Sequence, residues 1–426
     1  MGLIMRALKI LMFTTFYPPY SFGGDAVGVQ RMAQALVRRG HDVTVVHDKD
    51  AYQTMGGDIE GKSYSDDGVT EIALSSGWPM MTNLMTQQTG RPLVHGGKIK
   101  QIIDDGAFDI IWHNNTSLVG GPGLLDYGKA LKIYEAHEHW LVCPMHVLWK
   151  ENKALCETRE CLKCTLSYKR PPQLWRYTGF LERKLEQIDL LIAKSEFSRQ
   201  KHKQFGLQKD MTVLPYFLPD IDESALPEPA AHDRPYFLFV GRLEKIKGLQ
   251  DVFPAFDKYP DADLLILGDG DYTDELKALA RDNPRIKFLG RKSLEELNAY
   301  YRGALGLIVP SVCYETFGII LIESFRIGTP VIARRLGPFP EIVEAADAGA
   351  LFETEDDLIE AMTTIQTDAS WRSRHGALAR KGFEERWRED RVLAAYGVEL
   401  AKTAHARGDA ELAAALEAGA FENGPT

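Results

Sequence analysis

Pro310-Ser311-Val312-Cys313-Tyr314-Glu315-Thr316-Phe317-Gly318-Ile319-Ile320-Leu321-Ile322-Glu323 follows a short apolar run at residues 307–309. The run reads as a buried strand and Gly318 onward as a helix. Glu315 therefore falls in the loop at the carboxyl end of a strand, and Glu323 lies about a turn and a half into the helix. The first helical amides, from Phe317 through Gly318 to Ile319, suit an anion such as phosphate. Two carboxylates beside such a helix start suit a phosphate ester that also carries hydroxyls, because a carboxylate accepts hydrogen bonds from a diol.

Two other strand ends add to this one. Residues 237–240 are apolar and run into Gly241-Arg242-Leu243-Glu244-Lys245-Ile246-Lys247-Gly248. Arg242 can meet a phosphate with its fork and Lys247 with a point charge. Residues 264–267 end in Gly268-Asp269-Gly270, where Gly268 and Gly270 let backbone approach a flat base. Asp269 is as well suited to shaping that turn as to contacting a ligand.

Outward from this site, apolar runs alternate with helical segments along the whole chain. This is the mark of an α/β protein with parallel sheets, and the runs are apolar enough to be buried on both faces. In the first half they fall at residues 8–13, 43–47, 110–113, 131–136 and 190–193; the alternation restarts at 237. Between them, residues 215–235 hold five prolines and read as a linker. The expected organisation is two doubly wound domains, 1–217 and 218–388, with a ligand cleft between them. Residues 389–426 are expected to form a helix packing back on the first domain, with a frayed tail from Gly408. A hairpin around Asp67-Gly68 and a mobile loop over residues 77–92 complete the expectation.

The chain has 426 residues, 45% hydrophobic and 26% charged, with five cysteines, which excludes a disordered or disulfide-stapled build. No run reaches the ~18 apolar residues of a membrane span. The apolar stretch after Lys9 is short, lacks a cleavage site and meets Pro18-Pro19. It reads as a first strand rather than a leader, with the cytoplasm as the default compartment. Arg6 stands where myristoylation of Gly2 would want Ser or Thr. A net charge of −10 argues against nucleic acid as a partner. The charge is uneven: residues 1–217 carry 26 Lys+Arg against 23 Asp+Glu, the remainder 24 against 37. Residues 163–209 alone hold 11 basic and 4 acidic residues, interleaved with Trp175, Tyr177 and Phe180. That stretch reads either as a solvated face or as contact with an anionic membrane or lipid. The oligomeric state is open.

Cys143, Cys156, Cys161 and Cys164 sit within 22 residues. In a reducing compartment clustered thiols bind metal more often than they pair, and four thiolates suit tetrahedral zinc. An iron–sulfur cluster, His146 in place of one sulfur, and unligated thiols are the alternatives.

Taken together, Gly23-Gly24, Gly40-His41-Asp42-Val43-Thr44-Val45, Gly241-Arg242-Leu243 with Lys247-Gly248, Gly268-Asp269-Gly270, the Glu315–Glu323 pair and Gly328-Thr329-Pro330-Val331-Ile332-Ala333 resemble the retaining E-x7-E glycosyltransferases of family four, group 1, with the GT-B fold. The resemblance implies a hexosyltransferase that moves a sugar from a nucleotide-sugar donor, UDP- or GDP-linked, to a hydroxyl acceptor without a catalytic metal. It implies Arg242 and Lys247 on the diphosphate and Glu323 on the ribose. Glu315 with the amides of Phe317 and Gly318 would face the sugar and the distal phosphate, and Gly23 and Gly24 would lie near the phosphates. His137 would contact the donor sugar, with His139 as the other assignment. His113, Asn114 and Asn115, at an earlier strand end, are expected on the acceptor side. Gly28 stands where the family often has a His, so one acceptor-side contact is missing. A branch of the family carries cysteine-bearing insertions after the strand with the His, as Cys143 follows His137 here. A non-catalytic binder, or an epimerase or phosphorylase of the same fold, is the alternative. A nicotinamide dehydrogenase is disfavoured, since no G-x-G-x-x-G follows the first strand.

Overall fold

A computed structural model describes residues 6–59, 68–221 and 226–422. The chain forms two compact units, Met1–Pro215 with Val392–Thr426, and Tyr216–Arg391.

The first unit is built on a seven-stranded parallel sheet. Its strands are β1 (Lys9–Phe13), β2 (Asp42–Asp48), β3 (Val69–Leu74), β4 (Ile110–His113), β5 (Leu131–Ala136), β8 (Leu190–Ala193) and β9 (Thr212–Val213), in the order β3-β2-β1-β4-β5-β8-β9. A separate antiparallel ribbon, β6 (Trp149–Lys150) with β7 (Ala154–Leu155), lies in the cysteine-bearing segment. Ile10, Leu11, Met12 and Phe13 are all buried, as a strand covered by helices on both faces requires. The helix Gly24–Arg38 follows β1 and buries Val29, Met32, Ala33 and Leu36 along one stripe.

The second unit repeats the logic with β10 (Tyr236–Val240), β11 (Asp263–Leu267), β12 (Ile286–Gly290), β13 (Gly306–Val309), β14 (Val331–Arg334) and β15 (Gly349–Phe352), ordered β12-β11-β10-β13-β14-β15. β10 is flanked by β11 on one side and β13 on the other, all parallel. Strand order therefore reverses between β10 and β13. The loops leaving those two strands open at a topological switch point, the place where this architecture binds ligands.

Three stretches differ from the sequence expectation. Residues 77–92 contain a helix, Pro79–Thr89, where a loop was expected; its buried residues are Thr82, Asn83 and Thr86, so its inward face is polar and leaves no apolar stripe to read. Its apolar residues point outward instead, with Trp78 79% and Met80 74% exposed. The tail from Gly408 does not fray over its described part. It forms the helix Ala410–Glu417 and buries Leu412, Leu416 and Phe421, with the Ala420 carbonyl 2.6 Å from His41 Nε2. The expected hairpin's Asp67 and the residues before it lie outside the described residues, and Val69–Leu74 is a sheet strand parallel to β2.

Candidate functional site

Two close backbone approaches bring the strand ends of the second unit together. A Cβ on Gly248 would stand 2.1 Å from the Pro310 carbonyl oxygen, and Gly248 has φ +71°, so only glycine fits where the turn after Lys247 meets the end of β13. A Cβ on Gly268 would stand 1.8 Å from the Gly241 carbonyl oxygen, which binds the turn after β11 to the loop after β10.

Lys247 and Glu315 meet on this frame. Lys247 Nζ donates to Glu315 Oε1 at 2.6 Å, and Ser311 Oγ donates to the same oxygen at 3.2 Å. Burial works against the Glu315 carboxylate, yet the Lys247 ammonium and the hydrogen bonds from Lys247 and Ser311 hold its pKa below the ordinary value. Burial likewise opposes the Lys247 charge, and Glu315 raises that pKa above its ordinary value. Both are charged at neutral pH. The guanidinium of Arg242 pairs with Glu244 at 2.8 Å rather than with either of them, and adds a second positive charge that weakens Lys247's hold on its proton.

Gly318 caps the helix Ile319–Ile327 with φ +106°. Glu323 lies on that helix, half-buried, and accepts from Tyr301 Oη at 3.1 Å. Phe317 turns its ring into the core against Tyr216. Ile319 is half-buried. Asp269 accepts from its neighbour Gly270 N at 2.8 Å and from Thr273 Oγ1, and so shapes its own turn. The second unit thus gathers Lys247, Glu315, Arg242, the Gly318 helix start and Gly268 around one switch point.

In the first unit the candidates separate. His137 is 7% exposed, with Nε2 2.8 Å from Asn114 Oδ1, and burial lowers its pKa to about 4. It is a neutral ring at pH 7. Asn114 also donates to the Phe13 carbonyl, so the two residues orient each other. Asn115 accepts from Ser117 N and Oγ and closes a turn. His113 does not open to a ligand surface: it lies within β4, fully buried and stacked on Phe13, and burial lowers its pKa to about 3. Gly23 precedes the helix Gly24–Arg38 in extended backbone, and a Cβ on Gly24 would touch nothing within 4 Å. His139 is buried against His202.

All four clustered cysteines are unpaired and line one cavity of about 20 Å³, together with Val142, Met145 and Leu148. That is room for a water-sized occupant. Glu151 N donates to Cys164 Sγ at 3.2 Å. Burial, then the three other thiols, pushes the Cys156 pKa up to about 11. The donor set fits a soft tetrahedral ion, although no three of the sulfurs lie within 4.8 Å of one another. His146 does not join the cavity lining; its Nδ1 pairs with Glu138 at 2.6 Å.

Within the basic stretch, Trp175 and Phe180 are buried, and Arg176 lies over the rings of Trp140 and Trp175. These three serve the core. Lys163, Lys169, Arg170, Arg183, Arg199 and Lys203 remain exposed.

Sequence reasoning missed a buried network. Lys194 pairs with Glu135, which also accepts from Trp112 Nε1 at 2.8 Å and from Tyr396 Oη at 3.1 Å. Tyr396 comes from the returning C-terminal helix Glu389–Arg407, so no local spacing could show it.

Two family models match the chain: "Glycosyl transferases group 1" over residues 220–382 and "Glycosyltransferase Family 4" over residues 22–218. The chain belongs to the group 1 GT-B glycosyltransferases. Sulfoquinovosyl transferase SQD2 of Arabidopsis thaliana is 31% identical over 158 residues, 36% of this chain; the chain spans only 31% of that relative's length. A phosphatidyl-myo-inositol mannosyltransferase of Mycolicibacterium smegmatis is 26% identical over 349 residues, 79% of this chain and 80% of that one. The Anabaena protein HepE in complex with UDP-glucose superposes with TM-score 0.63 at 18% identity, covering 94% of this chain and 99% of that one. Among the described residues, no helix of this glycosyltransferase-family chain is long and apolar enough to cross a membrane.

Proposed function

We propose that this protein transfers a hexose, with retention of anomeric configuration, from a UDP- or GDP-sugar to a hydroxyl acceptor. The observation that carries the reading is the Lys247–Glu315 pair at 2.6 Å, set at the switch point beside the Gly318 helix start.

Lys247, Arg242 and the amides of Phe317, Gly318 and Ile319 hold the diphosphate. As the glycosidic bond to the phosphate breaks, they stabilise the negative charge that develops on the leaving group, so the positive side chains take the place of a catalytic metal. Glu323 takes the ribose hydroxyls, and the Tyr301 hydroxyl fixes its carboxylate. Glu315 orients the sugar hydroxyls while its partner Lys247 contacts phosphate. Gly23 and Gly24 offer backbone amides to the phosphates, and Gly268 and Gly270 frame the base. His137 gives its one N–H, on Nε2, to Asn114, so it acts as an oriented acceptor from a sugar hydroxyl through Nδ1; a ring whose pKa is about 4 does not serve as a cationic clamp at neutral pH. The front-face path needs no side-chain nucleophile, because the leaving phosphate accepts the acceptor's proton.

The HepE–UDP-glucose complex supports the donor class. The four cysteines hold a zinc ion that orders their segment. For the acceptor, the phosphatidyl-myo-inositol relative favours a phospholipid. The outward Trp78, Met80 and Met81 and the exposed Lys169 and Arg170 suit docking on an anionic bilayer face. Co-sedimentation should rise with the anionic lipid fraction of the vesicles; indifference to it removes the membrane reading.

The test of the donor reading is a thermal-shift and turnover screen with UDP-, GDP- and ADP-sugars. One UDP- or GDP-sugar should stabilise the protein and be consumed; no stabilisation by any of them contradicts the proposal.

A further inference from the structure

β2 ends at Asp48 in the first unit, and a second polar cluster gathers there that the glycosyltransferase reading does not use. Asp48 Oδ1 accepts from Ala51 N at 3.0 Å and caps the helix Lys49–Thr54. Asp50 lies in that helix, and its Oδ1 accepts from Ser76 N at 3.0 Å. His95 immediately precedes the helix Gly96–Gly106. The exposures of Asp48, Asp50 and His95 are 0%, 2% and 7%.

Each carboxylate spends one oxygen on a backbone amide. Asp48 Oδ2, Asp50 Oδ2 and His95 Nε2 have no hydrogen-bond partner among the described residues. Asp50 Oδ2 and His95 Nε2 stand 3.4 Å apart as an ion-pair geometry, and the three residues each offer a ligand atom within 4.8 Å of the others. No Lys or Arg is paired with either carboxylate among the described residues. Two buried carboxyl oxygens and one imidazole nitrogen thus face one another with no positive side chain among them.

We propose that Asp48, Asp50 and His95 form a divalent-cation site of the Mn²⁺/Zn²⁺ class. Two carboxylates and one imidazole form a donor set these ions accept, and three protein ligands leave positions for water or an anionic ligand group. A bound ion would tie the end of β2 to the starts of two helices. One of those helices carries Tyr52, whose ring stacks on Phe22 at 4.6 Å, next to Gly23 and Gly24. The site thereby steadies the glycine turn from behind. The inference stands independently of the donor assignment.

The experiment is Mn²⁺ titration of chelator-stripped, full-length protein by electron paramagnetic resonance, without nucleotide. Mn²⁺ is a hard ion that the thiol cluster does not favour. The wild type should bind one Mn²⁺ saturably and melt higher with it. Asp50→Asn and His95→Gln should each weaken binding at least tenfold and lose the thermal shift. Glu71→Gln, on the neighbouring strand β3, should keep both. His95→Gln keeps the test decisive if Asp50→Asn fails to fold. No saturable Mn²⁺ binding in the wild type, or binding unchanged in folded His95→Gln, overturns the proposal.

Discussion

The switch-point cluster of the second unit and the two candidate ion clusters of the first are balanced in opposite ways. At the switch point of the second unit the charges answer each other: Lys247 pairs with Glu315, and Ser311 donates to the same carboxylate. In the first unit, four thiols surround a cavity and two buried carboxylates lack a positive side chain. One region is preorganised by its own side chains; the other two are donor clusters that the proposed ions would fill. Preorganisation of the first kind suits a ligand that comes and goes. Clusters of the second kind suit a resident ion, because they present several donor atoms to one point with no positive side chain there.

The largest test of that contrast is at the cysteines. Protein purified without chelator should carry about one zinc per chain at this cluster, worth on the order of 10 kcal/mol to the ordering of its segment. Cys164→Ser should lose the metal and expose residues 143–164 to protease. Elemental analysis giving less than ~0.2 metal per chain, with all four thiols titrating, would erase the contrast there. Next in size, Lys247→Ala should lose roughly 2–4 kcal/mol of transition-state stabilisation, read as kcat/KM. Because it leaves the half-buried Glu315 without its partner, Lys247→Ala should also lower Tm, whereas Glu323→Ala should chiefly weaken nucleotide binding.

Smaller effects probe the frame. Gly248→Ala should cost ~1–3 kcal/mol or more by denaturation, since its Cβ meets the Pro310 carbonyl. Gly290→Ala, at a similar φ of +71° but with nothing within 4 Å, should cost only ~1 kcal/mol. Equal costs would mean that the strand ends are not held together as described. The smallest effect is the pH dependence of the pair. Glu315 has a lowered pKa, so its contribution is present above its ordinary value of 4.5 and is lost as pH falls through the lowered value. Lys247 has a raised pKa, so its contribution is present below 10.5 and is lost as pH rises through the raised value. Stability curves for Glu315→Gln should lose the acid limb of this contribution; superimposable acid limbs in wild type and variant would show the pair carries none.

These sites were unequally legible in the sequence, for physical reasons. In the second unit, strand ends and glycines lie in short continuous motifs, so Lys247, Glu315 and the Gly318 helix start could be placed together. Arg242's turn toward Glu244 is a side-chain choice that no motif records. In the first unit, Asp48 and His95 meet only after the sheet assembles, and the Glu135–Lys194–Tyr396 network needs the chain to return from its far end. His113 carried a functional pattern, but its place inside β4 buries it. The helix Pro79–Thr89 was unreadable because it buries threonines and an asparagine.

The Lys247–Glu315 cluster and the Gly318 helix start are the proposed nucleoside-diphosphate site. A crystal structure of the full chain with UDP or GDP, whichever stabilises it more, tests this most directly. The distal phosphate should lie within hydrogen-bond distance of Lys247 Nζ and the amides at residues 317–319, with the ribose hydroxyls on Glu323. A nucleotide bound with its phosphates away from Lys247 and its ribose away from Glu323 would contradict it.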